Sequence, residues 1–190
     1  EEERAIAMLR ANNPCGVNDE AIGCILAGMA GRREEAMSLL SMALLRHISG
    51  LIQIVSKFGD IYEDRGRLDQ ADEVLAWLTP FLQGMERPDQ VSYLTKYRAA
   101  ALGCRAQIAW KSGREQDARA FLRDALALAV RFDAAPNYRA AALRWYEGPD
   151  TAMAYDSMGA TARAAVRQVF TQQGEDPEAG AFLTAFESEN

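Results

Sequence analysis

The chain has 190 residues, 49% of them hydrophobic, which suits one domain with a sizeable core rather than a disordered tail. Its 21 basic and 27 acidic side chains leave a net charge of −6, a surface that repels phosphate backbones and anionic bilayers, so neither direct nucleic-acid binding nor membrane docking is expected. No uninterrupted apolar run reaches the roughly 18 residues of a membrane-crossing helix, and Cys15, Cys24 and Cys104 form no Cys-x-x-Cys pair, so free, mostly buried thiols in a reducing, cytoplasmic setting are the expectation.

Alanine, leucine, glutamate and arginine dominate, and β-branched residues are sparse, so the expected elements are helices. The first covers about 2–12 and stops at Pro14 and Gly16. Asp19 is the predicted cap of a second helix that ends at Gly31. A third runs to about Ser49, with a break at Gly50, and a fourth, from Leu51, ends at Gly66. The stretch "LDQADEVLAWLTPFL" follows, then a loop at "GMERPDQ" with Asp89 as a cap. A long helix over 90–112 turns at Gly113 into another that ends near Phe132. After the loop "DAAPN" come a short helix at "YRAAALRWY", a helix capped by Asp150, and a last long one after Gly159. The chain opens on Glu1 without a methionine and is expected to belong to a longer protein.

The turns repeat. Gly31, Gly66, Gly113 and Gly159 each carry an alanine five residues on: Ala36, Ala71, Ala118 and Ala164. Leucine follows at plus nine in the first three, at Leu40, Leu75 and Leu122, and Gln168 stands there in the fourth. Two antiparallel helices joined by a tight turn approach closely, so a small side chain is needed near the crossing. The leucine lies one helical turn further along the same face.

The second unit goes further. Val55, Phe58, Gly59, Tyr62, Gly66, Ala71, Leu75 and Leu78 together resemble the tetratricopeptide repeat. Gln83 stands where that family puts a closing proline, and the helix-contact glycine and tyrosine become Cys24 and Ala27 in the first unit. They become Ala106 and Ala109 in the third and Ala152 and Tyr155 in the fourth. The resemblance implies an all-α stack of antiparallel helix pairs, an α-solenoid, with units at about 18–46, 51–82, 89–130 and 138–172. The later repeats are lengthened, and a helix at 177–187 caps the end. Pro177 opens that helix, and Phe182, Leu183 and Phe186 share a face that would cover the last unit. Its rival role is insertion into another copy's groove, making a homodimer.

Chemistry-bearing constellations are scarce. His47 is the sole histidine, no cysteine brackets it at ligand spacing, and the glycines form no phosphate loop. No metal, cofactor or enzymatic activity is expected. The acidic pairs Glu34–Glu35 and Asp60–Glu63–Asp64 read as solvated helix faces, and Trp77 as a core residue. What remains is binding. A stack of helix pairs offers an extended concave surface for a peptide or partner helix. In the repeat register the concave side carries Gln53, Ser56, Asp60, Glu63 and Asp64 in unit two and Gln107, Trp110 and Lys111 in unit three. These are the candidate partner-binding residues, and the carboxylates suit a segment with apolar anchors and basic residues. The second reading is a regulatory or sensor domain of a bacterial-type transcriptional regulator whose DNA-binding part lies outside this segment.

Overall fold

The computed structural model describes residues 1–12, 18–86, 91, 93–134, 162–171 and 177–189. Its elements are eight α-helices: α1 (Glu2–Ala11), α2 (Asp19–Gly28), α3 (Arg33–Asp64), α4 (Leu68–Met85), α5 (Tyr93–Lys111), α6 (Glu115–Asp133), α7 (Ala162–Thr171) and α8 (Pro177–Glu189). The all-helical expectation holds. The expected stop at Pro14 and Gly16, the Asp89 and Asp150 caps, the helix at "YRAAALRWY", and Ala152, Tyr155 and Gly159 fall outside the described residues.

The three turns are where the glycines put them. Gly31, Gly66 and Gly113 have φ of 78°, 67° and 72°, a left-handed conformation that costs glycine nothing. The second and third turns close identically. Arg67 N–H donates to the Tyr62 carbonyl at 2.8 Å, and Arg114 N–H donates to the Ala109 carbonyl at 2.8 Å. These are the six-to-one bonds of a Schellman turn. The alanines five residues on, Ala36, Ala71 and Ala118, are buried as expected. Ala164 is exposed instead, because α7 buries Ala162, Val166 and Phe170 and packs against α5 and α6. The plus-five register therefore does not extend to α7.

Consecutive helices pack in pairs along the chain: α2 on α3, α3 on α4, α4 on α5 and α5 on α6. In the first two pairs the leucine at plus nine packs against a glycine of the preceding helix. Leu75 lies against Gly59, and Leu40 against Gly23, where an added Cβ would come within 2.8 Å of the leucine Cγ. The contact glycine of the first pair is thus Gly23, one residue before Cys24. Cys24 is exposed, contrary to the expectation of a buried thiol.

Four further expectations give way. Gly50 does not break the chain: α3 runs unbroken for 32 residues, about 48 Å. A single glycine costs a helix only about 1 kcal/mol, and the long flanking helical runs on either side absorb that. Asp19 does not cap α2. It is the first helical residue, and its carboxylate accepts from Arg46 of α3 at 3.0 Å. Trp77 is not core but 53% exposed, stacked on Phe81 with ring centroids 5.3 Å apart. Finally, one 18-residue stretch of α3 has a mean hydropathy of 1.5 with no more than two charged residues, enough by length and composition to cross a membrane. Arg46 and His47 interrupt the run without lowering its average below that mark.

At the far end, α8 lies on its own chain. Ala179, Leu183 and Phe186 join Val166 and Phe170 of α7 in the largest core cluster. Phe182 stacks on Phe170 at 5.8 Å, and Arg119 of α6 reaches Glu189 at 2.9 Å.

Candidate functional site

The second half of α3 and the length of α5 barely touch, although α4 packs on both. The space between them is a cleft of about 340 Å³. Ser56, Asp60 and Glu63 of α3 form one wall, and Tyr97, Cys104 and Gln107 of α5 form the other. Leu75 and Leu78 of α4 make the floor, and Val169 of α7 closes one edge. The wall residues of α3 recur at four and three positions, so a single face of the helix presents them. On α5 the small residues Ala101 and Ala100 keep the cleft open. Gly103 lets α7 come close, since a Cβ there would meet Val169 at 2.9 Å.

Of the eight residues singled out from the sequence, the cleft gathers four: Ser56, Asp60, Glu63 and Gln107. Gln53 and Asp64 are exposed on α3 outside it. Lys111 stands at its end and donates to Glu63 at 2.6 Å, so this pair ties α3 to α5. The Glu63 side chain is only 9% exposed. Its carboxylate is therefore not the solvated group expected from the sequence. Trp110 is half-buried in the last core cluster, with its ring 6.2 Å from Phe182. It supports α8 rather than lining the cleft. Asp60 is the accessible carboxylate, and Lys57 donates to it at 2.7 Å. That hydrogen bond, with the attraction behind it, raises the Lys57 pKa above its ordinary value.

Cys104, on the α5 wall, was missed as a cleft residue. Burial pushes its thiol pKa up to about 12, and the charges of Asp60 and Glu63 add to the shift. At pH 8 its thiolate fraction is accordingly negligible. Alkylation with iodoacetamide at pH 8, read by peptide mass spectrometry, is expected to label exposed Cys24 readily while sparing Cys104 until the chain unfolds.

Two links of the stack also escaped the sequence reading. Asp72 of α4 accepts from Arg105 at 2.6 Å and from Arg114 at 3.1 Å. Glu86 accepts from Arg98 across the α4–α5 boundary. His47 contacts Glu20 at 2.9 Å on the surface. Among the described residues no three histidine, cysteine or acidic side chains cluster closely enough to hold a metal ion. Compared with known proteins, the chain matches no family model, no curated protein and no solved structure.

Proposed function

We propose that the chain is a protein–protein interaction module of tetratricopeptide-like build, and that the α3–α5 cleft takes an extended segment or helix of a partner. The observation that carries this reading is the cleft's composition. An apolar floor of Leu75 and Leu78 lies beneath polar walls whose accessible charges are Asp60 and the Lys57 paired with it. Apolar floors anchor side chains, and rim charges steer and orient the approach. A partner segment with an apolar anchor followed by lysine or arginine fits, its cation replacing Lys57 at Asp60. Ser56 and Gln107 supply hydrogen-bonding groups along the walls. Binding in this reading needs neither cofactor nor catalysis.

The cleft's volume also favours a second reading, a sensor domain for a small ligand, since about 300–1,000 Å³ is usual for such pockets. Selection from a displayed peptide library against the purified chain, beside a thermal-shift screen of small molecules, separates the two. Peptides enriched in an apolar residue near a basic one support the module. Asp60→Lys is then expected to slow their association several-fold at low salt and to lose that effect at high salt. Stabilisation by small molecules, with no peptides selected, favours the sensor.

A further inference from the structure

Among the described residues four polar side chains are buried: Asp19, Ser41, Thr95 and Gln107. Three of them are engaged. Asp19 accepts from Arg46, the Ser41 hydroxyl donates to the Met37 carbonyl at 2.7 Å, and Thr95 has a partner as well. Gln107 differs. It is only 4% exposed, yet among the described residues its side chain makes no hydrogen bond. Buried amides are ordinarily paired, because one without a partner has given up water for nothing. The described side-chain atoms that are fully sealed in without a partner belong to Gln70, Glu86 and Arg98. The Gln107 amide is not among them, so it keeps an open side, and the space it opens on is the cleft it lines.

The repeat register sets this position. Gln107 stands six residues before Gly113, and Asp60 stands six residues before Gly66. They are one position on two successive helices, Asp60 on the α3 wall of the cleft and Gln107 on the α5 wall. Ser56, one turn before Asp60, is also without a side-chain hydrogen bond among the described residues. Ser41 and Ser112, by contrast, each donate to the carbonyl four residues back. The charges of Asp60 and Glu63 act on the Cys104 thiol of α5, so the walls are near enough for one narrow ligand to touch both. Between the unpaired groups lies the apolar floor of Leu75 and Leu78.

We propose that the cleft holds its partner segment as an extended strand, with the backbone of the apolar anchor residue paired to the Gln107 side-chain amide. This inference rests on the cleft being a peptide site. A glutamine amide presents donor N–H groups beside an acceptor oxygen. Its complement is an acceptor beside a donor, which is what the C=O and N–H of one residue offer along one edge of an extended chain. A helix cannot supply that pair, because its backbone groups are bonded within it except at the ends. Gln107 Nε2 then donates to the anchor's carbonyl, and Gln107 Oε1 accepts from the anchor's N–H. Successive residues of a strand turn to opposite sides. The residue after the anchor therefore turns its backbone toward Ser56 on the α3 wall. Side chains alternate in the same way: the anchor points down to Leu75 and Leu78, and the next one points out to the rim, where a lysine or arginine reaches Asp60.

The probe is a hexapeptide with capped ends and a central Leu-Arg pair, taken from the library selection, with its affinity read by fluorescence anisotropy. Gln107→Met keeps the side chain's length and removes its hydrogen bonds. It is expected to melt no lower than the wild type and to bind the hexapeptide about tenfold more weakly. Methylating the leucine's backbone nitrogen is expected to cost the wild type a similar factor and to cost Gln107→Met little more, since the bond it removes is already gone. A Gln107→Met chain that melts clearly lower overturns the proposal, because the amide then holds the fold. Equal binding by Gln107→Met and wild type also overturns it and points to a helical ligand, whose backbone groups are spent on itself. So do losses from Gln107→Met and backbone methylation that add in full at every position. In each of these cases a loss of binding in Asp60→Lys leaves the interaction module standing. A cleft that binds no peptide at all overturns both.

Discussion

Replacing Phe170 with alanine is expected to lower the unfolding free energy by about 3–5 kcal/mol. Phe170 is fully buried and is the largest such side chain among the described residues. It lies where α7, α8 and the α5–α6 pair meet, with Phe182 of α8 stacked on it at 5.8 Å. Truncation removes the apolar surface that Phe182 and Leu183 rest on and leaves a cavity that rigid helices cannot collapse to fill. In a chain of this length each kcal/mol moves the melting temperature by roughly 2–4 °C, so a fall of about 10 °C or more is expected. Val130, 44% exposed on α6, is the comparison: Val130→Ala is expected to change stability by less than about 0.5 kcal/mol. Paired urea melts measure both. Equal midpoints would show that α8 does not close the stack at Phe170.

The parts of the fold legible in the sequence were those set by local chemistry. Gly31, Gly66 and Gly113 mark turns because only glycine adopts their positive φ without strain. Ala36, Ala71 and Ala118 mark crossings, and all three are buried there. Gly50 misled for the complementary reason. A glycine permits a turn without requiring one, and even the Ser49–Gly50 pair, a common turn signal, does not force a break between two long helical runs. Trp77 misled separately: it reads as a core position of its helix, but α4 buries Ala71, Leu75, Leu78 and Leu82 and leaves Trp77 in solvent. The contact glycine of the first pair was displaced by one residue because Gly23 sits eight residues before its turn glycine, whereas Gly59 sits seven before.

The cleft was legible on α3 and less so on α5. Ser56, Asp60 and Glu63 lie at steps of four and three and therefore share a face. Gln53 and Asp64 widen that arc beyond what one cleft can face. On α5 the same reasoning found Gln107 but carried the face on to Trp110, which α8 claims through Phe182. The Lys111–Glu63 pair spans 48 residues and two helix turns. Long-range pairs of this kind depend on how successive helix pairs rotate against one another, which residue spacing does not record. Cys104 was passed over because a lone cysteine in an apolar helix carries no mark of facing a cavity.

Asp72→Ala is expected to cost about 2–3 kcal/mol, and the reason lies in how one carboxylate serves two helices. One Asp72 oxygen accepts from Arg105 Nε of α5 at 2.6 Å, and the other accepts from Arg114 Nη2, at the turn into α6, at 3.1 Å. The Asp72 side chain is 14% exposed and that of Arg105 17%. Removing one partner of a well-buried pair costs about 3–5 kcal/mol, because the remaining charge has lost water without compensation. The loss is smaller here for two reasons. Arg114 is 35% exposed and keeps Asp117 at 3.4 Å. Arg105 keeps the face of Phe121, 4.1 Å from its guanidinium. Asp72→Asn retains one acceptor oxygen at nearly the same volume and is expected to lose about half as much. If the carboxylate's charge carries the link, combining Asp72→Ala with Arg105→Met should recover part of the loss, since an apolar side chain on Phe121 needs no counter-charge. Urea melts of the three variants measure this. Strictly additive losses in the double variant would show that Asp72 and Arg105 act independently, and that the contact of α4 with α5 is held by its apolar side chains alone.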